Sequence, residues 1–230
     1  MRIFSIEQDD IVLCDTPQTW AELQRYGAGE ITGGRSASRA ETIVCVIEGE
    51  LMIACAGATA SPLPAMNGAH IPAGMDWSAT AGAQGARVLR VDSRHPGFDP
   101  ARALMPPLAH AELFAITDGL GLTYTDYFRS RVLTFAPGFA ADRHFHEGAD
   151  EIFWFYQGTA HVITPDQDVM LPAGSVIVNP AGEWHIIGNG SASEPLLMFL
   201  TVTPNIVPSH TFFDEAGAPV VRSMSPLTRP

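Results

Sequence analysis

Residues 144–158 read HFHEGADEIFWFYQG. On an extended strand, side chains two apart share a face, so His144 and His146 converge on one point while Phe145 turns away. Glu147, Gly148, Ala149 and Asp150 supply a polar, glycine-bearing turn, which predicts a β-hairpin. Glu151 opens its second strand and presents a carboxylate to the same point. Further along, Phe153 and Phe155 share the face of Glu151, while Ile152, Trp154 and Tyr156 take the other. The two phenylalanines either pack a core or wall an apolar substrate pocket, and the pattern leaves both readings open.

A fourth ligand comes from outside this stretch. His185 follows the turn formed by residues 179–183, NPAGE, and starts the short strand HII. Three imidazoles and one carboxylate suit Fe(II), Mn, Ni, Co, Cu or Zn, and the lack of nearby cysteine argues against a thiolate-type structural zinc site. Four protein ligands leave up to two octahedral positions.

The rest of the chain is punctuated by turns. Its 21 glycines and 18 prolines separate short apolar or alternating runs such as ARVLRVDS, SRVLTFAPG, GSVIVNPAG and EPLLMFLTVTP. This spacing predicts an all-β protein built as a sandwich or barrel. At 230 residues and 46% hydrophobic content the chain can bury a self-sufficient core. A weak internal repeat divides it in two. VIEGEL at 46–51 parallels FYQGTA at 155–160, and IPAGMDW at 71–77 parallels NPAGEWH at 179–185. The expected division is an N-terminal barrel over residues 1–95, a linker over 96–118, a C-terminal barrel over 119–204 and a Pro- and Ser-containing tail over 205–230. Helical periodicity is credible only in the linker, from near Asp99 to the prolines at 106 and 107. The tail either folds back as an arm or stays loosely ordered.

Charge excludes several partners. Thirteen Lys and Arg against 25 Asp and Glu leave a net charge of −12, which repels nucleic acid and anionic membrane surfaces. No stretch has the roughly 20 apolar residues of a membrane helix, and acidic residues at 7, 9 and 10 interrupt any signal-peptide core, so a soluble cytoplasmic protein is expected. Cys14, Cys45 and Cys55 form no CxxC pair and read as small buried hydrophobes. There is no lysine, which rules out a Schiff base to a lysine side chain.

The two motifs together resemble the cupin superfamily. Gly138, His144-x-His146, Glu151 and Gly158 match the spacing of its first motif. Gly174, Pro180-x-Gly182, His185 and Asn189 match its second. The resemblance implies two tandem cupin-type antiparallel β-barrels (jelly-roll-like), a bicupin, with one divalent transition metal per chain at His144, His146, Glu151 and His185 of the C-terminal barrel, Fe(II) being favoured. The N-terminal half departs from the pattern. Thr42 stands where Glu151 does, Ala37 where His146 does and Trp77 where His185 does, so this barrel is expected to hold no metal. His70 reads as a surface or turn histidine.

Arg129, Arg131, Tyr124 and Tyr127 lie on or before the strand leading to Gly138, where a guanidinium could clamp a carboxylate or enolate. Alternation puts both arginines on the face of Leu133 and Phe135, without saying whether that face is the lumen. With Phe153 and Phe155, Arg129 and Tyr127 are the candidate substrate contacts. Arg131, His161 and Glu183 are the candidate catalytic groups. Asp142, Arg143 and Glu147 flank the ligands as loop charges.

The resemblance implies a metal-dependent dioxygenase acting on a small aromatic, enol or diketone-like molecule. The alternatives are a non-redox isomerase, lyase or decarboxylase, and a binding module whose metal is structural. Exposed strand edges make a homodimer the expected assembly.

Overall fold

A computed structural model describes residues 1–36, 40–96, 103, 105, 108–118 and 121–221. Ala37 and the predicted helical turn from Asp99 to the prolines lie largely outside these residues. The chain divides into two compact units. One comprises Gln8–Asp118 with Thr125–Phe128; the other comprises Met1–Glu7, Gly119–Tyr124 and Arg129–Pro230. The first seven residues therefore belong with the C-terminal half and not with a barrel over 1–95. Strand β1 (Arg2–Ser5) pairs with a strand at 175–179, where the Ile6 amide also donates to the Gly174 carbonyl.

The N-terminal unit contains β2 (Ile11–Asp15), β3 (Thr19–Tyr26), β4 (Ile31–Arg35), β5 (Ala40–Cys55), β6 (Ser61–Pro64), β7 (Asn67–Ile71), β8 (Asp76–Arg94) and β9 (Glu112–Ala115). Its sheet runs β2-β3-β8-β5-β7-β9 with all neighbours antiparallel, β4 adding to β8 and β6 to β5. Strands β5 and β8 are longer than the short-strand pattern predicts. Register shifts around Glu48 and Glu50 let one strand serve two stretches of sheet. At Gly49 the backbone takes a φ of 75°, and a Cβ there would lie 2.1 Å from the Gly85 carbonyl oxygen, so only glycine admits this close approach.

The C-terminal unit adds β10 (Gly121–Tyr124), β11 (Arg129–Phe135), β12 (His144–Phe145), β13 (Asp150–Gln157), β14 (Thr159–Ile163), β15 (Asp168–Pro172), β16 (Ser175–Asn179), β17 (Ile186–Asn189), β18 (Leu196–Thr203), β19 (Thr211–Phe213) and β20 (Pro219–Val221). Its main sheet runs β1-β16-β13-β18-β11-β10, faced by β15-β14-β17, with β12-β19-β20 as a third small sheet. The residue alternation of β13 is realised: Phe153 and Phe155 join Ile177, Met198, Leu200 and Val202 in one apolar core. Burying such side chains is worth roughly 1.5–3 kcal/mol each.

The two units repeat one register. Within the N-terminal unit Thr42 pairs with Ile71 and Asp92; within the C-terminal unit Glu151 pairs with Asn179 and Val202. The described residues form no α-helix, and no helix is long and apolar enough to cross a membrane.

Candidate metal centre

The stretch 144–158 does not fold as a hairpin. Strand β12 pairs with β19 and forms a bridge from His144 to His185, while β13 pairs with β16 and β18. Four residues, 146–149, carry the chain from one strand to the other without a ladder between them, because each strand finds its hydrogen bonds elsewhere. The predicted convergence survives this change. His144, His146, Glu151 and His185 are all buried, and one ligand atom from each lies within 4.8 Å of the others. Two loop contacts hold the surrounding turns: the Gly182 amide donates to the His146 carbonyl at 2.7 Å, and the Ala181 amide donates to Asp150 Oδ1 at 3.0 Å.

Backbone carbonyls orient all three imidazoles. His144 Nδ1 donates to the Asp142 carbonyl at 2.7 Å, His146 Nδ1 to the Ser209 carbonyl, and His185 Nδ1 to the Glu183 carbonyl at 3.3 Å. With the proton on Nδ1, each Nε2 carries a lone pair. Glu151 Oε2 lies 3.1 Å from His146 Nε2 and 2.9 Å from His185 Nε2, and the latter makes no hydrogen bond. Four acceptors thus face one another with no donor among them. A cation resolves this arrangement, and the donor set of three imidazoles and a carboxylate fits a divalent metal ion. Burial, then the neighbouring His185, pushes the His144 pKa down to about 4, which keeps it in the neutral, ligating form. Burial alone would raise the Glu151 pKa, but imidazolium charge on His146 and His185, the alternative to a bound cation, would hold it well below the usual carboxylate range.

A cavity of about 260 Å³ opens on the centre. Apolar side chains, Leu133, Phe135, Phe153, Ile187, Leu200 and Phe212, form most of its wall, with Arg129, Arg131, Asp142 and His210 as its polar groups. The face carrying both arginines is therefore the inner one. Arg129 is 6% exposed, and among the described residues no carboxylate lies within ion-pair distance of it; its contact is His210 Nε2, 3.5 Å from Nη2. Burial lowers its pKa, Glu151 opposing that shift. Arg131 is engaged by the Tyr124 hydroxyl at 2.5 Å and lies over its ring.

The other candidates sit elsewhere. Phe155 is fully buried behind Phe153, stacked on it at 5.9 Å, and does not line the cavity. Tyr127 belongs to the N-terminal unit, edge-on to His95. His161 is on the exposed side of β14 and pairs with Asp168 at 2.7 Å, since the inner positions of that strand are taken by Ala160 and Val162. Glu183 binds the N-terminal ammonium group of Met1. The flanking charges hold loops: Arg143 lies 4.0 Å over the Phe213 ring, and Glu147 accepts from Thr211 Oγ1.

Sequence reasoning missed His210. It comes from the tail, 64 residues beyond His146, and packs its ring 4.9 Å from that of His144 and 4.7 Å from that of His146. The signal was the run Ser-His-Thr-Phe at 209–212, which puts His210 and Phe212 two apart on one strand face, as His144 and His146 are.

The N-terminal unit fills the corresponding place with other chemistry. Thr42 Oγ1 donates to Asp92 Oδ1 at 2.8 Å, Arg90 forks onto the same carboxylate, and the guanidinium packs 5.5 Å from the Trp77 ring and 5.0 Å from that of Trp20. His70 is not a surface histidine: it is fully buried, 2.7 Å from Glu41 Oε2, which also accepts from Thr125 Oγ1 at 2.6 Å. A hydrogen bond with a buried glutamate on the neighbouring strand is what takes it inside.

Comparison with known proteins places the chain in context. Residues 131–202 match the family model described as a cupin domain. No curated protein matches by sequence. Among solved structures, a cupin 2 conserved barrel domain protein from Leptotrichia buccalis aligns over 88% of this chain and 89% of its own, with 15% identity and a TM-score of 0.61. The formate complex of Lactobacillus farciminis oxalate decarboxylase aligns over 91% and 88%, with 16% identity and a TM-score of 0.61. A salicylate 1,2-dioxygenase from Pseudaminobacter salicylatoxidans aligns over 81% and 71%, with 14% identity and a TM-score of 0.64. These likenesses show that the chain has the cupin fold.

Proposed function

We propose that this cupin-fold chain is a metal-dependent dioxygenase acting on a small organic anion with an apolar or aromatic body. The observation that carries the reading is Arg129, a buried guanidinium with no carboxylate partner among the described residues, in the same apolar cavity as His144 and Glu151 of the four convergent acceptors. A buried charge left unpaired costs several kcal/mol, so a cavity built around one is suited to a ligand that brings the opposite charge. Counting agrees. Among the lining residues Arg129 and Arg131 balance Asp142 and Glu151, so a bound divalent ion adds two positive charges that the wall does not cancel.

A redox-active divalent metal held by His144, His146, Glu151 and His185 would supply one-electron chemistry with dioxygen, and Fe(II) is the favoured ion. The chain's own part is to bind and orient. Arg129 holds the anionic group, Phe153, Ile187 and Leu200 exclude water around the body of the substrate, and the three backbone carbonyls fix the imidazole tautomers. Two of the three candidate catalytic groups, His161 and Glu183, are committed away from the cavity, which weakens the non-redox alternative that needs a nearby proton carrier.

The test is oxygen uptake by iron-loaded protein across a panel of small aromatic, enol and diketone acids. Uptake that requires both substrate and iron, and is lost in His146→Ala, supports the reading. Turnover that persists under argon with zinc or manganese would overturn it in favour of lyase or isomerase chemistry.

A further inference from the structure

The segment 209–213 lies outside the matched cupin domain, yet three of its groups reach the centre. The Ser209 carbonyl accepts from His146 Nδ1, the His210 ring lies against those of His144 and His146, and Phe212 stacks on His210 at 5.7 Å with an interplanar angle of 18°. His210 and Phe212 both line the cavity. The segment is held from outside. Strand β19 pairs with β12, matching His144 to Phe212, and Phe213 lies under Arg143 and beside Phe145.

We propose that this arm is the specificity-determining wall of the cavity: His210 aims the Arg129 guanidinium that holds the charged end of the substrate, and Phe212 limits the size of its apolar body. The proposal rests on the anionic-substrate reading above. His210 Nδ1 and Ser209 Oγ lie 2.8 Å apart, and Arg129 Nη2 stands 3.5 Å from Nε2. A contact of 3.5 Å is at the outer limit of a hydrogen bond. A carboxylate entering there takes the Arg129 donor fully, while the imidazole beside it keeps the guanidinium aimed into the cavity. Phe212 closes the wall at a fixed distance, because its backbone is tied to that of His144.

The experiment measures calorimetric binding of benzoate, benzamide and 1-naphthoate to the zinc-loaded protein, with zinc content determined alongside. Wild type is expected to bind benzoate at least tenfold tighter than benzamide and to bind 1-naphthoate weakly. His210→Ala should lose about tenfold for benzoate with benzamide unchanged and one zinc per chain retained, His210→Gln should recover part of that loss, and Phe212→Ala should bind 1-naphthoate more tightly than wild type. If wild type and Arg129→Ala bind benzoate and benzamide alike, the anionic-substrate reading fails. If wild type prefers benzoate but His210→Ala does so equally, or Phe212→Ala still rejects 1-naphthoate, that reading stands and the arm proposal fails. Loss of zinc in both His210 variants would also overturn it, making the residue a support of the metal ligands and not a positioning residue for Arg129.

Discussion

Glu151 Oε2 lies 3.1 Å from His146 Nε2, while the other nitrogen of that imidazole is committed to a backbone carbonyl. Neither residue can turn away without leaving a buried polar atom unpaired, so the pair is set up to share a cation. In Glu151→Gln the carboxylate is lost with little change of shape. Metal content should drop from about one ion per chain to less than a tenth. Adding zinc in hundredfold excess over its dissociation constant should stabilise wild type by about 2.7 kcal/mol, and the variant by almost nothing. Elemental analysis and thermal melts with and without chelator measure both.

The metal-free protein should weaken in acid. Burial first, then nearby His185, lowers the His144 pKa to about 4, and burial with Arg129 lowers that of His210 to about 2, against an unfolded value near 6.5. Both groups bind a proton in the unfolded state before they do in the native one. The stability they provide is complete above about pH 6.5 and declines as pH falls through the native values. His144 alone should cost on the order of 2 kcal/mol by pH 5. Urea unfolding of chelated protein between pH 7.5 and 4.5 tests this, and a flat profile would contradict the buried neutral imidazole.

In the N-terminal unit, Glu41 is 1% exposed and accepts from both His70 and Thr125. Removing it takes the carboxylate acceptor from both the buried His70 ring and the Thr125 hydroxyl hydrogen. Glu41→Ala should therefore destabilise that unit by about 3–5 kcal/mol, and Thr125→Val by about 1 kcal/mol. The midpoint of denaturant unfolding gives both values. Similar small losses in the two variants would mean that Glu41 does not bear the pair.

Gly158, the counterpart of Gly49, has a φ of 86°, and a Cβ on it would lie 2.4 Å from the Pro195 carbonyl oxygen. The left-handed backbone alone costs an L-residue about 1–2 kcal/mol, and the clash adds to it. Gly158→Ala should lose more than 2 kcal/mol in an unfolding titration. Gly182→Ala, also at positive φ but with open space around it, should lose only the backbone cost.

Much of the centre was legible because it depends on local rules. Alternation on a strand put His144 and His146 together, and the offset between VIEGEL and FYQGTA correctly aligned Thr42 with Glu151, since both pair in the same register within their units. The hairpin was misread for the same reason. A turn sequence says that the chain bends, but not which strands then compete for the freed hydrogen bonds.

By itself the sequence determined the four convergent acceptors and the missing ligand set of the first half, since residue type and a period of two are properties of the chain alone. Only the tertiary structure decided that Arg129 faces inward, that His70 is buried on Glu41, that Arg90 and Trp77 fill the vacant place in the first unit, and that a tail histidine completes the cavity. The physical reason is range. Which face is buried, and which distant strand lies beside β12, follow from the packing of whole sheets, where no residue's neighbours along the chain carry the information.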